Sequence, residues 1–243
     1  MAVREIECGG ARWKFSYEIV NPSKKRTIVW LHGWGANKGL MKQAFGKTLG
    51  GYRHLYVDLP GFGGSSAPHP YDSAEAAETV ACLLRELGAA EIAAVAGHSF
   101  GGKVATLLDP PLLVLLASAG IVRPKPLKIR MKIALFKTLR KLGLSKLRTL
   151  FVAADAKGLD PIMYDTFKQV VDEDFSQRFA AFGGRALLCW GREDTATPLA
   201  GGEKIASLIR HSRLAVFDGD HYFFLKRPET VAREIETELE ESA

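Results

Sequence analysis

A chain of 243 residues, 47% apolar and 25% charged, has the size and composition of one α/β unit around one core, which excludes a largely disordered chain. No stretch reaches the roughly 18 uninterrupted apolar residues of a membrane span. The leading MAVREIECGG carries Arg4, Glu5 and Glu7 with no signal-type apolar run, so a cytoplasmic location is expected. Three cysteines, Cys8, Cys82 and Cys189, show neither C-x-x-C spacing nor a His/Cys cluster, which points to buried reduced thiols and away from zinc.

In chain order, residues 3–8 and 11–20 read as two strands turning at Gly9-Gly10. RTIVWLHG (26–33) is a buried strand that stops at glycine, 36–49 has room for a helix, and YRHLYVDLPG (52–61) is a strand and turn. The segment 71–88 is a helix with clear punctuation: Asp72 with Glu75 as a capping box, apolar positions at helical spacing, and Gly88 at the stop. EIAAVAG (91–97) is a strand, GGKVATLL (101–108) a short helix ended by Pro110-Pro111, and LLVLLAS (112–118) a strand. That short helix leaves room for a groove or an interface nearby.

Residues 121–182 break the rhythm. Ten basic residues and no acid fall within 121–150, which against the total of +6 leaves −4 for the rest of the chain. The stretch is too long for a plain loop and is expected to be an inserted helical cap, with a helix starting at Asp160-Pro161. Three readings of the basic run stay open: a solvated face, weak contact with an anionic membrane surface, or attraction of anionic substrates. No nucleic-acid-binding module is recognisable. The rhythm resumes with a strand at 185–191, a helix at 198–210, a strand at 213–219 and a final helix at 227–241. Strands alternating with helices imply a mostly parallel sheet covered on both faces.

Gly97-His98-Ser99-Phe100-Gly101 is G-x-S-x-G placed between a buried strand and a helix, the context in which a sharp turn exposes a serine hydroxyl. Ser99 is thus a candidate nucleophile. With HGWG (32–35), DLPGFGGS (58–65), WGREDTATP (190–198) and GDHYFFLKRPE (219–229) in the same order, the chain resembles the α/β-hydrolase family over essentially its whole length. The resemblance implies an α/β-hydrolase fold, a mostly parallel eight-stranded sheet with a small helical cap after strand 6. The core would be 1–120 and 183–243, and the cap 121–182.

It also implies a catalytic triad in the order Ser99, Asp194, His221. Ser99 Oγ would attack a carbonyl, His221 would serve as base and then acid, and Asp194 would hold the imidazole. The oxyanion donors would be the backbone N–H groups of Phe100 and Trp34, with Gly33, Trp34 and Phe100 lining the substrate pocket. Glu193 is a rival for Asp194, while Asp218 and Asp220 read as turn residues. Of the other histidines, His32 and His98 shape motif loops, and His54, His69 and His211 read as surface or turn. Tyr222 and Phe223 read as packing, and Lys103 as a solvated first-turn residue.

The chain is similar to carboxylesterases and to meta-cleavage-product hydrolases, which cleave a C–C bond in a dienoate. Trp34 replaces the small-residue oxyanion loop of the latter, and Tyr222 stands where they carry tryptophan. Ser99 counts against dehalogenases and epoxide hydrolases, which attack with aspartate. The expectation is a serine hydrolase of small acyl esters needing no metal and no organic cofactor. The alternatives are a C–C hydrolase, or a low-turnover binding or scaffold protein on the same fold.

Overall fold

The computed structural model describes residues 1–89, 91–122 and 160–241. Strands β1 (Ala2–Cys8) and β2 (Ala11–Val20) form the expected hairpin, and Gly9 and Gly10 both take positive φ, 59° and 76°, as its tight turn requires. Six more strands follow: β3 (Thr27–Leu31), β4 (Arg53–Val57), β5 (Ile92–His98), β6 (Leu112–Leu116), β7 (Arg185–Gly191) and β8 (His211–Phe217). Among the described residues they make one sheet in the order β1-β2-β4-β3-β5-β6-β7-β8. β2 pairs antiparallel with β4, and every pairing from β4 to β8 is parallel. β3 and β6 are buried at every position, which is why their sequences run apolar without alternation.

The helices are α1 (Lys38–Phe45), α2 (Ser73–Glu86), α3 (Phe100–Leu107), α4 (Pro161–Val170), α5 (Ser176–Ala181), α6 (Leu199–Leu208), α7 (Phe223–Lys226) and α8 (Pro228–Glu240). α1 packs with α8, and α2 with α3, forming two helical layers on the sheet. Local chemistry sets their ends. The Asp72 side chain accepts from Glu75 N (2.8 Å), Gly88 turns the chain out at φ 57°, and Asp160 accepts from Met163 N (3.0 Å) ahead of Pro161. The basic residues from Arg123 to Arg148, and with them most of the expected 121–182 insertion, lie outside the described residues; α4 and α5 belong to its described part. Among the described residues no helix is long and apolar enough to cross a membrane.

Three expectations are corrected. Cys8 and Cys82 are not free thiols but a disulfide, with Cα atoms 6.3 Å apart across 74 residues of sequence; β1 packs against α2 and brings their ends together. Cys189 alone is free and buried. His54 is not at the surface but fully buried, stacked with Trp30 and Tyr56. Its Nδ1 accepts from Trp30 Nε1 (3.1 Å) and its Nε2–H donates to Leu49 O (3.1 Å). Lys103 is likewise buried, because the turn after α4 closes over α3: its ammonium donates to Val170 O and pairs with Glu173, both at 2.6 Å. A groove of about 420 Å³ does open beside the short α3, lined by Leu108, Asp109, Pro110 and Pro111. It lies where β5 and β6 begin, at the opposite end from Ser99.

Candidate active site

Because β3 to β8 run parallel, the loops that follow β3, β5, β7 and β8 gather at one edge of the sheet. They carry His32 to Trp34, Ser99, Asp194 and His221 respectively. Ser99 sits between β5 and α3 at φ 50°, ψ −113°, a left-sided conformation that a non-glycine residue holds only when its surroundings impose it. The imposition comes from close packing. A Cβ at Gly97 would overlap the Gly101 carbonyl, and one at Gly101 would lie 2.5 Å from His32 O and 2.6 Å from Leu31 O. The glycines around the serine therefore let α3 start directly against β3 and β5 with the hydroxyl at its N-terminus.

As the first residue of α3, Phe100 has no carbonyl one turn earlier to take its N–H. Across from it, the chain after β3 is pinned by His32, which is fully buried. Leu59 N–H donates to His32 Nε2 (2.9 Å), and His32 Nδ1–H donates to Gly33 O (2.8 Å). Burial pushes this imidazole down to about 4, so it is neutral, with its single proton on Nδ1. A Cβ at Gly33 would stand 3.1 Å from Ser99 Cβ, so this loop lies directly against Ser99. Below it, Asp58 takes N–H groups from Lys38 (2.7 Å) and Gly64 (2.9 Å) and pairs with Lys38 Nζ (2.6 Å). That network ties the 58–65 turn to α1.

On the other side, His221 Nδ1–H donates to Asp194 Oδ2 at 2.7 Å. The Asp194 side chain is fully buried, and Oδ1 accepts from the backbone N–H groups of Ala196 (2.8 Å) and Thr197 (2.9 Å). Burial alone would raise its pKa; the bonds from His221 and Thr197 outweigh this and hold the carboxyl below its usual range. Glu193, the rival acid, points to solvent. His98 links the two sides. Its ring lies 4.5 Å from that of His221, and its Nε2–H donates to the His221 carbonyl (3.1 Å).

Several residues at the site were not singled out from sequence. Thr197 lies 2.9 Å from Asp194 Oδ2 and 3.2 Å from His221 Nδ1 through its hydroxyl, which also bonds Ala117 O (3.0 Å). Trp34, expected at the pocket, meets Phe100 edge-on at 5.7 Å, Phe62 at 4.9 Å and Phe167 of α4 at 5.3 Å. Phe62 and Phe167 thus join Trp34 and Phe100 in one aromatic cluster. Tyr222 packs on His98 and His221 yet stays 42% exposed, while Phe223 is fully buried. Asp220 is the turn residue expected, accepting from Tyr222 N (2.9 Å).

Comparison with known proteins adds four findings. A model of the Alpha/beta hydrolase family matches residues 28–234. Among curated proteins, the pimeloyl-[acyl-carrier protein] methyl ester esterase of Pseudoalteromonas atlantica is 40% identical over 98 residues, 36% of this chain and 36% of that protein, so the match spans about a third of the relative's length. The AB hydrolase superfamily protein YisY of Bacillus subtilis is 28% identical over 238 residues, 85% of this chain and 88% of its own. Among solved structures, a thermophilic esterase from Thermogutta terrifontis superposes with a TM-score of 0.76 at 19% identity, covering 100% of this chain and 99% of its own.

Proposed function

Because the chain belongs to the alpha/beta hydrolase family, we propose that it is a serine hydrolase that cleaves a small acyl ester through an acyl-enzyme on Ser99. The observation that carries this reading is the strained serine at φ 50°, whose neighbour His98 lies ring to ring with His221 at 4.5 Å, together with the His221–Asp194 bond of 2.7 Å. Asp194 accepts the Nδ1 proton, which leaves Nε2 of His221 as the basic nitrogen. It takes the Ser99 proton as Oγ attacks the carbonyl, then returns it to the leaving alcohol; water repeats the sequence on the acyl-enzyme. The N–H groups of Phe100 and Trp34 are the proposed oxyanion donors, each worth about 10² to 10³ in turnover.

Gly33, Trp34 and Phe100 line the acyl side in this reading, with Phe62 and Phe167 behind Trp34. The 121–182 segment is the proposed cap. Its basic run favours a negatively charged substrate, and a carrier-bound methyl ester is the substrate named for one relative. Labelling with a fluorophosphonate, located by peptide mass spectrometry, tests the nucleophile: an adduct on Ser99 that Ser99→Ala abolishes supports it, and an unlabelled Ser99 defeats it. A panel of p-nitrophenyl esters, a monomethyl dicarboxylate and a dienoate then separates ester from C–C hydrolysis.

A further inference from the structure

We infer that His98 is a positioning residue that sets the catalytic histidine through its backbone, by the bond from His98 Nε2–H to the His221 carbonyl. The inference rests on the serine-hydrolase reading of Ser99 and His221. His98 is the last residue of β5, 1% exposed, and touches three loops of the site. It is covalently next to Ser99. Its ring lies against His221 (4.5 Å), Tyr222 (5.3 Å) and Phe224 (5.0 Å) on the histidine loop. On the opposite side a Cβ at Gly33 would stand 2.8 Å from its Nδ1, so the imidazole also abuts the oxyanion loop.

The protonation of His98 follows from its partners. A carbonyl oxygen only accepts, so Nε2 carries the hydrogen that meets His221 O at 3.1 Å. Among the described residues Nδ1 is buried with no partner, so a second proton there would be a buried donor without an acceptor. Burial, then the neighbouring His221, push this imidazole down to about 3. His98 is therefore a neutral donor of fixed direction at any working pH. Asp194 holds only the ring of His221, at Nδ1. The loop backbone is held on its flanks by Glu193 N to Gly219 O (3.0 Å) and Phe223 N to Asp220 O (3.1 Å). The bond from His98 falls on His221 itself and fixes where Nε2 sits relative to Ser99.

The test compares His98→Gln, whose amide N–H can reach the same carbonyl, with His98→Met, of similar size and no donor, using the whole chain and p-nitrophenyl butyrate. His98→Met is expected to lower kcat by about 10- to 100-fold, the scale of a misplaced reacting group, with KM within about twofold. Fluorophosphonate labelling of Ser99 should slow in parallel, and His98→Gln should recover most of both. Should His98→Met fail to fold, His98→Asn, whose amide is too short to reach the carbonyl, takes its place in the comparison. Wild-type kcat in the donor-free variant, or His98→Gln as poor as that variant, overturns the assignment. Ester hydrolysis that survives Ser99→Ala overturns the serine-hydrolase reading instead.

Discussion

Acidification from about pH 7.5 to about pH 5 should destabilise this fold by about 4 kcal/mol through His32 and His98 alone. Both are fully buried and neutral, with pKa values pushed by burial from 6.5 down to about 4 and about 3. The sign follows from which state takes the proton: the unfolded chain binds it near 6.5, while the folded chain resists. The stabilisation is therefore complete above about 6.5 and is lost as pH falls toward the folded values. At about pH 5 each histidine lies about 1.5 units below its unfolded pKa, worth about 2 kcal/mol at about 1.4 kcal/mol per unit. His54, also depressed by burial, adds in the same direction. Asp58 and Asp194 are held below their usual range and stay ionised there. Urea unfolding at the two pH values measures the difference, and His98→Gln should remove about half of the 4 kcal/mol. Equal stability at both pH values, or an undiminished difference in His98→Gln, would mean that these imidazoles accept protons in the folded state and would refute the tautomers assigned above.

Asp194→Asn should leave the melting temperature near wild type but lower kcat by about 10⁴, because an amide can hold His221 in the wrong tautomer; steady-state ester hydrolysis reads this. Cys8→Ser opens a loop of 74 residues and should cost about 4 kcal/mol on the chain-entropy estimate, with thiol titration of unreduced, unfolded wild type giving one free thiol rather than three. The same titration on protein alkylated inside cells decides whether the bond persists there, since reducing compartments keep thiols free. Gly101→Ala drives a Cβ to 2.5 Å from His32 O and should cost about 3 kcal/mol in urea unfolding, with loss of Ser99 labelling. Glu173→Gln removes the counter-charge of the Lys103 ammonium, which is 2% exposed while Glu173 is 24% exposed, and should cost about 1.5 to 3 kcal/mol; a melting temperature unchanged from wild type would contradict the burial of that ammonium.

What could be read directly from the residues were features whose cause is local. The Gly9-Gly10 turn, the Asp72 and Asp160 caps and the continuous apolar runs of β3 and β6 depend on neighbours a few positions away. The sharp turn at Ser99 is legible for the same reason, since Gly97, Ser99 and Gly101 lie within five residues. Contacts that close across long stretches of chain were not legible. Lys103 looks like a solvated helical lysine until Val170 and Glu173 arrive over it. His54 is buried only because Trp30 and Tyr56 stack around it, and Cys8 meets Cys82 only because β1 packs on α2. Thr197 lies inside WGREDTATP, and a hydroxyl three residues after Asp194 is the available signal for its bond to that carboxylate.

Ser99, His221 and Asp194, brought from different loops, are proposed to act as one nucleophile, and a set of multiple substitutions tests this most directly. Turnover of a p-nitrophenyl ester would be measured for Ser99→Ala, His221→Ala, Asp194→Asn and the triple variant, with folding checked by thermal unfolding. Groups that work as a unit lose nearly everything at the first removal, so Ser99→Ala or His221→Ala alone should fall about as far as the triple variant. Losses that multiply from one variant to the next, or turnover retained in Ser99→Ala, would contradict the account.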